Sequence, residues 1–228
     1  MHIRDLTQFL AELSENNNRA WFVMNKPRYD ILRAEFLELV IKLIADLSKF
    51  DPAIASCNPK KALFRINRDM RFSHDKSPYK THFSAAISPT NMKKPSSGGG
   101  PVYYFHIDAD GLLIIAGGEY MPPSDRLRAI REQVIADASG FSKMIKHKSI
   151  KDVYGGLQEE GKLVRPPKGF DADSPHIEYL KLKSFIVWKE SSIKKKIPTD
   201  LGKDLLAAFK ETYPLITWLR QVPLNLSE

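Results

Sequence analysis

Between Lys60 and His82 the chain reads KKALFRINRDMRFSHDKSPYKTH, and no other stretch restricts its fold as tightly. Seven lysines and arginines stand there against two aspartates, a local net of +5 in a 228-residue chain of formal charge +8. Apolar residues interrupt the charge at alternate positions, at Ala62, Phe64 and Ile66 and again at Met70 and Phe72. A solvated basic tail gains nothing from such alternation, so the segment predicts an extended element with one buried side. In that conformation Phe64, Ile66, Met70 and Phe72 face a core, while Arg65, Asn67, Asp69 and Arg71 share the opposite face. Lys76, Tyr79 and Lys80 return from a turn at Ser77-Pro78. Arg65, Arg68 and Arg71 are also three apart, which would align them on a helix, but the alternation favours a strand followed by a turn.

The rest of the chain supplies helices before this block and strands after it. Leu6, Phe9, Leu10 and Leu13 recur at helical spacing, and Asn16-Asn17-Asn18 stops that pattern. A short helix follows over Arg19–Met24, and Pro27 is expected to open a longer one as a first-turn proline. Residues 82–88, 102–107, 112–116 and 182–189 read as further strands. Leu112 to Ala116 is apolar throughout, which predicts a central strand covered on both faces. Asp110-Gly111 marks a hairpin turn before it, and Gly117-Gly118 after it marks a bulge or a close backbone approach. Residues 89–101, rich in Pro, Ser and Gly, form a loop. Helices are expected from Ser124 to Gly140, from Thr199 to Glu211 and from Pro214 to Arg220. With no repeat and no composition break, these pieces predict one α+β domain over 1–228. It is helical over 1–52, sheet-forming over 60–120 and mixed over 121–228, with a mainly antiparallel sheet of about five strands flanked by helices.

Several of these pieces together resemble a known family. NNNRAWFVMNKPRY near the start, FRINRDMRFSHDKSPYKTHF, the later YYFHI and GGEYMPP, and PKGF at 167–170 are similar to a bacterial and fungal family catalogued as domain of unknown function 2461. The likeness covers nearly the whole chain. Its most specific part matches at Arg65, Ile66, Arg68, Asp69, Arg71, Phe72, Ser73, Asp75, Lys76, Pro78, Tyr79 and Lys80. The resemblance implies one domain and brings no particular activity with it.

Residue chemistry therefore carries the functional expectation. Arginine's planar fork matches carboxylate and phosphate oxygens, so Arg65, Arg68 and Arg71 with Lys76, Tyr79 and Lys80 predict an anion site centred on 65–82. Like charges so close repel by about 1 kcal/mol per pair at 4 Å in water, and acids or a ligand must answer that. Asp69, His82, His106 and Glu119 are the candidate acids and bases, and an enzyme acting on a small anionic substrate is one form this site could take. The bland alternative is that these groups are ion-paired or hydrogen-bonded and serve only the fold.

Other classes find less support. No phosphate-loop, dinucleotide, nucleophile-elbow or metalloprotease motif occurs, so no cofactor is expected. Asp108 and Asp110 are explained by the hairpin and the histidines are scattered, so no metal is expected either. No apolar run is long enough to span a bilayer, and the single cysteine, Cys57, suits a reducing compartment, which predicts a cytoplasmic protein without membrane contact. Two alternatives stay open beside the phosphate- or carboxylate-type ligand: a nucleic-acid-binding module using the basic face, with Tyr79 or Tyr103 stacking, and a protein-interaction domain without small ligand. Neither enzymatic turnover nor oligomeric state is legible in the sequence.

Overall fold

The structure, a computed structural model, describes residues 1–69, 75–94, 97–195 and 197–224. Helix α1 spans Ile3–Glu15, and its Leu6, Phe9, Leu10 and Leu13 are fully buried. Asn18 then caps α2, Arg19–Leu47, by accepting a hydrogen bond from the Trp21 N–H. Pro27 lies inside this single 29-residue helix instead of opening a second one. A proline removes one backbone bond, and here the apolar contacts on both sides of it override that loss. A 3₁₀ turn (Pro52–Ser56) and the short α3 (Pro59–Ala62) lead to the basic block.

Four strands follow: β1 (His82–Ile87), β2 (Val102–Asp108), β3 (Leu112–Glu119) and β4 (Phe185–Ser192). They form one antiparallel sheet in sequence order. β2 alternates as a strand with one buried face should, with Tyr103, Phe105 and Ile107 inside and Tyr104, His106 and Asp108 half-buried. β3 is central, although Leu112 and Ile114 are only half-buried and full cover begins at Ile115. Between β3 and β4 come α4 (Ser124–Ala136), α5 (Ala138–Ile145), a π turn (Ser149–Val153) and α6 (Ile177–Leu180). The chain closes with α7 (Leu201–Arg220), which runs through Pro214 where two helices were expected.

The expected strand at 62 is the other difference. Leu63 and Asn67 make isolated bridges to Ala85 and Tyr79. Four positions separate the first pair from the second on one arm and six on the other, so the returning arm carries two extra residues. That mismatch breaks the ladder, as a bulge does. Within the described residues the facing of side chains survives in part: Ile66 is buried and Phe64 half-buried, while Arg65, Asn67 and Asp69 are exposed, and the expected inward residues Met70 and Phe72 lie outside the described residues.

By internal packing the chain divides into two compact units. Unit 1 comprises 1–89, 104–115 and 190–206, and unit 2 comprises 90–103, 116–189 and 207–228. In unit 1 the aromatic centre is Phe36, whose ring lies 5.5 Å from that of Phe83 and 5.2 Å from that of Phe105. Unit 2 is built on Phe141, Trp218, Phe185 and Leu215, all buried.

Candidate functional site in unit 1

The basic block is held in place by an amide. The Asn17 side chain accepts from the Tyr79 N–H at 3.1 Å and donates to the Tyr79 carbonyl at 2.9 Å. Both backbone groups of Tyr79 are thus satisfied by one side chain, as a neighbouring strand would satisfy them. The Tyr79 ring stacks on Phe22 at 4.1 Å and is buried, so it serves the core and is withdrawn from the anion-binding role expected of it. Arg68 donates its N–H to the Pro78 carbonyl, and its guanidinium bonds Asp75 at 2.9 Å. The Ser77 backbone N–H, the Ser77 hydroxyl and Arg68 hold the Asp75 carboxyl below its usual range. Both members of this pair are already counted in the block's net of +5. The Arg68 Nε remains buried without a hydrogen-bond partner.

The other expected residues separate into groups. Arg65 is exposed and makes no ion pair among the described residues. Lys76 and Asp69 are exposed. Lys80 places its ammonium 5.3 Å from the centre of the Phe64 ring. Arg71 lies outside the described residues. Glu119 belongs to unit 2, where it is buried and bound by Arg126 on both carboxylate oxygens. That pairing gives it a structural task and occupies the carboxylate.

His82 and His106 do come together. Their rings, on neighbouring strands, are 5.3 Å apart. Burial first, then His106, Lys80 and Arg68 depress the His82 pKa to about 4. Burial likewise lowers His106, although Asp108 and Glu190 pull it upward. Tyr104 Oη is 3.0 Å from His106 Nδ1, and the Ser84 side chain hydrogen-bonds Tyr104. Burial pushes the Tyr104 phenol up, so it stays protonated and can donate at neutral pH. The result is an imidazole pair that burial favours in the neutral form, with the Tyr104 hydroxyl on His106, cations beside His82 and the carboxylates of Asp108 and Glu190 beside His106.

His82 also lines a cleft, together with Tyr29, Arg33, Phe36 and Ser84 and the arm residues Leu63, Phe64 and Ile66. Its inner space, about 10 Å³, holds roughly one water, so a larger group could engage it only at the mouth. Arg33 donates to Tyr29 Oη at 3.4 Å, and no carboxylate among the described residues pairs with it. Sequence reasoning missed Arg33, Tyr29, Ser84 and Tyr104. The available signal was an arginine set in the otherwise apolar stripe Tyr29, Leu32, Phe36, Val40 of α2. Among the described residues no group of three or more His, Cys, Asp or Glu could hold a metal ion, and no helix is long and apolar enough to cross a membrane.

Comparison with known proteins bears on identity more than on chemistry. No curated protein and no solved structure matches the chain. A family model does match, over residues 5–218, a range that includes Asn17, Tyr79, His82 and His106 of this chain. The chain belongs to the family described as Conserved hypothetical protein (DUF2461).

Proposed function

We propose that unit 1 binds a small anion of the phosphate or carboxylate type at the mouth of the Arg33–His82 cleft. The observation that carries this reading is Arg33, a cleft-wall guanidinium without a carboxylate partner among the described residues. Arg68 and Lys80 add positive potential, since both act electrostatically on His82. An anion seated there would relieve the repulsion that the basic block carries. It would also raise the His82 pKa from about 4, because a negative neighbour favours the imidazolium. Neutral His82, with Tyr104 and His106 behind it, is then the group suited to exchange a proton with the ligand, which is how an enzyme would use the site. A reducing, cytoplasmic setting agrees with the lone, buried Cys57.

The test is thermal. Phosphate or sulfate should raise the melting temperature beyond chloride at equal ionic strength, because a ligand of the folded state alone stabilises it. Arg33→Gln should remove that increment and leave the melting temperature in chloride unchanged. Equal shifts with all three salts would overturn the reading. A steeply salt-dependent affinity for DNA or RNA, lost in Arg33→Gln, would replace it with nucleic-acid binding.

A further inference from the structure

Helix α2 buries one face in unit 1 through Leu32, Phe36, Val40 and Leu43. On its opposite side runs a second apolar row that unit 1 leaves uncovered. Met24, Pro27, Ile31, Ala34, Glu38 and Ile41 follow one another at intervals of three and four, and all six are exposed. Met24 is 74% exposed, Ile31 63% and Ile41 47%. Alternating steps of three and four make the seam along which two helices pack as a coiled coil. A purely solvated face has no reason to keep that period with one charged residue in six positions.

We infer that this row is the interface of a homodimer in which the α2 helices of two copies lie antiparallel. The order of side chains identifies the partner. Around a midpoint between Leu32 and Arg33 the row is self-complementary: Met24 meets Ile41, Ile31 meets the small Ala34, and Glu38 meets Pro27. The charges beside the row agree with the same register. Arg28 of one copy falls beside Glu35 of the other. Arg28 already bonds Glu12 in its own chain, so the second copy adds a further carboxylate to it. A parallel pairing would instead set Glu38 against Glu38 and Ile31 against Ile31, placing like charges inside the seam.

Light scattering on the full chain tests association, and cross-linking tests orientation. The wild-type protein should show twice the chain mass and a melting temperature that rises with concentration, and Ile31→Glu should halve the mass and remove that concentration dependence without changing the circular dichroism, since Ile31 is exposed in the single chain. Ala34→Glu, at the facing position, should do the same. Under mild oxidation, Met24→Cys mixed with Ile41→Cys should give a disulfide between unlike copies. Neither variant should cross-link to itself, because 17 residues of helix hold like positions about 25 Å apart. A wild-type protein that stays at one chain mass at every concentration overturns the proposal. So does self-cross-linking of Ile41→Cys, which would mean a parallel pair, or a dimer that Ile31→Glu leaves intact.

Discussion

Arg126 grips Glu119 with two prongs in the interior of unit 2, Nη2 to Oε1 at 2.5 Å and Nε to Oε2 at 3.0 Å, and each side chain is only 3% exposed. The same guanidinium donates to the carbonyls of Val222, Pro223 and Leu219. It therefore closes the chain end after α7 onto the end of β3. Removing one partner of a buried pair leaves an uncompensated charge, which costs about 3–5 kcal/mol. Glu119→Ala should lose that much in urea denaturation, and Arg126→Met should lose at least as much because three carbonyls lose their donor. A Glu119→Ala loss below about 1 kcal/mol would mean that the pair does not hold this region together.

Gly118 is fixed by space as well as by conformation. Its φ is +130°, and a Cβ there would stand 2.3 Å from the Phe185 carbonyl oxygen and 2.7 Å from the Ile186 Cα. Backbone cannot swing aside as a side-chain tip can. Gly156 has a comparable φ of +109° and nothing within 4 Å of a built Cβ. Gly156→Ala should cost about 1–2 kcal/mol from conformational strain alone, and Gly118→Ala clearly more. Equal melting temperatures for the two variants would refute the steric half of this account.

The Asn17 clamp predicts a local effect. Asn17→Ala leaves the Tyr79 N–H and carbonyl without the amide that bonds both, a loss of about 1–3 kcal/mol. Amide hydrogen exchange should quicken at Tyr79 and at Lys80, whose N–H bonds the Ile66 carbonyl, more than in β2 and β3. Uniform quickening across the chain would show that Asn17 acts on global stability alone.

His82 predicts a pH dependence of stability. Its folded pKa, about 4, lies below the ordinary 6.5, so the unfolded chain takes up this proton first as pH falls. The stabilisation is therefore complete above about 6.5 and is lost between there and about 4, by about 3 kcal/mol at most. His106, also lowered, acts in the same direction. His82→Gln should flatten the urea midpoint between pH 6.5 and 4 relative to wild type. An unchanged slope would place the pH sensitivity elsewhere.

Patterns carried by neighbouring residues were legible in the sequence. The spacing of Leu6, Phe9, Leu10 and Leu13, the alternation of Tyr103, Phe105 and Ile107, the Asp110-Gly111 turn and the tight approach at Gly117-Gly118 each depend on local sterics and period. So did the facing of Ile66 against Arg65 and Asn67, which outlived the loss of its strand. Family membership followed from the same motifs. Pro27 and Pro214 misled, because a local helix-breaking signal yields to apolar packing on both sides of it.

What the sequence could not supply was which groups answer each charge. Glu119 belongs to Arg126 and Arg68 to Asp75, and Tyr79 spends its ring on Phe22. Arg33 and His82 meet in one cleft although 49 positions separate them. Charge pairing depends on distance and burial, and no period along the chain encodes either. Only the packing of α2 against β1 and its arm decided which cation was left on the cleft wall without a carboxylate.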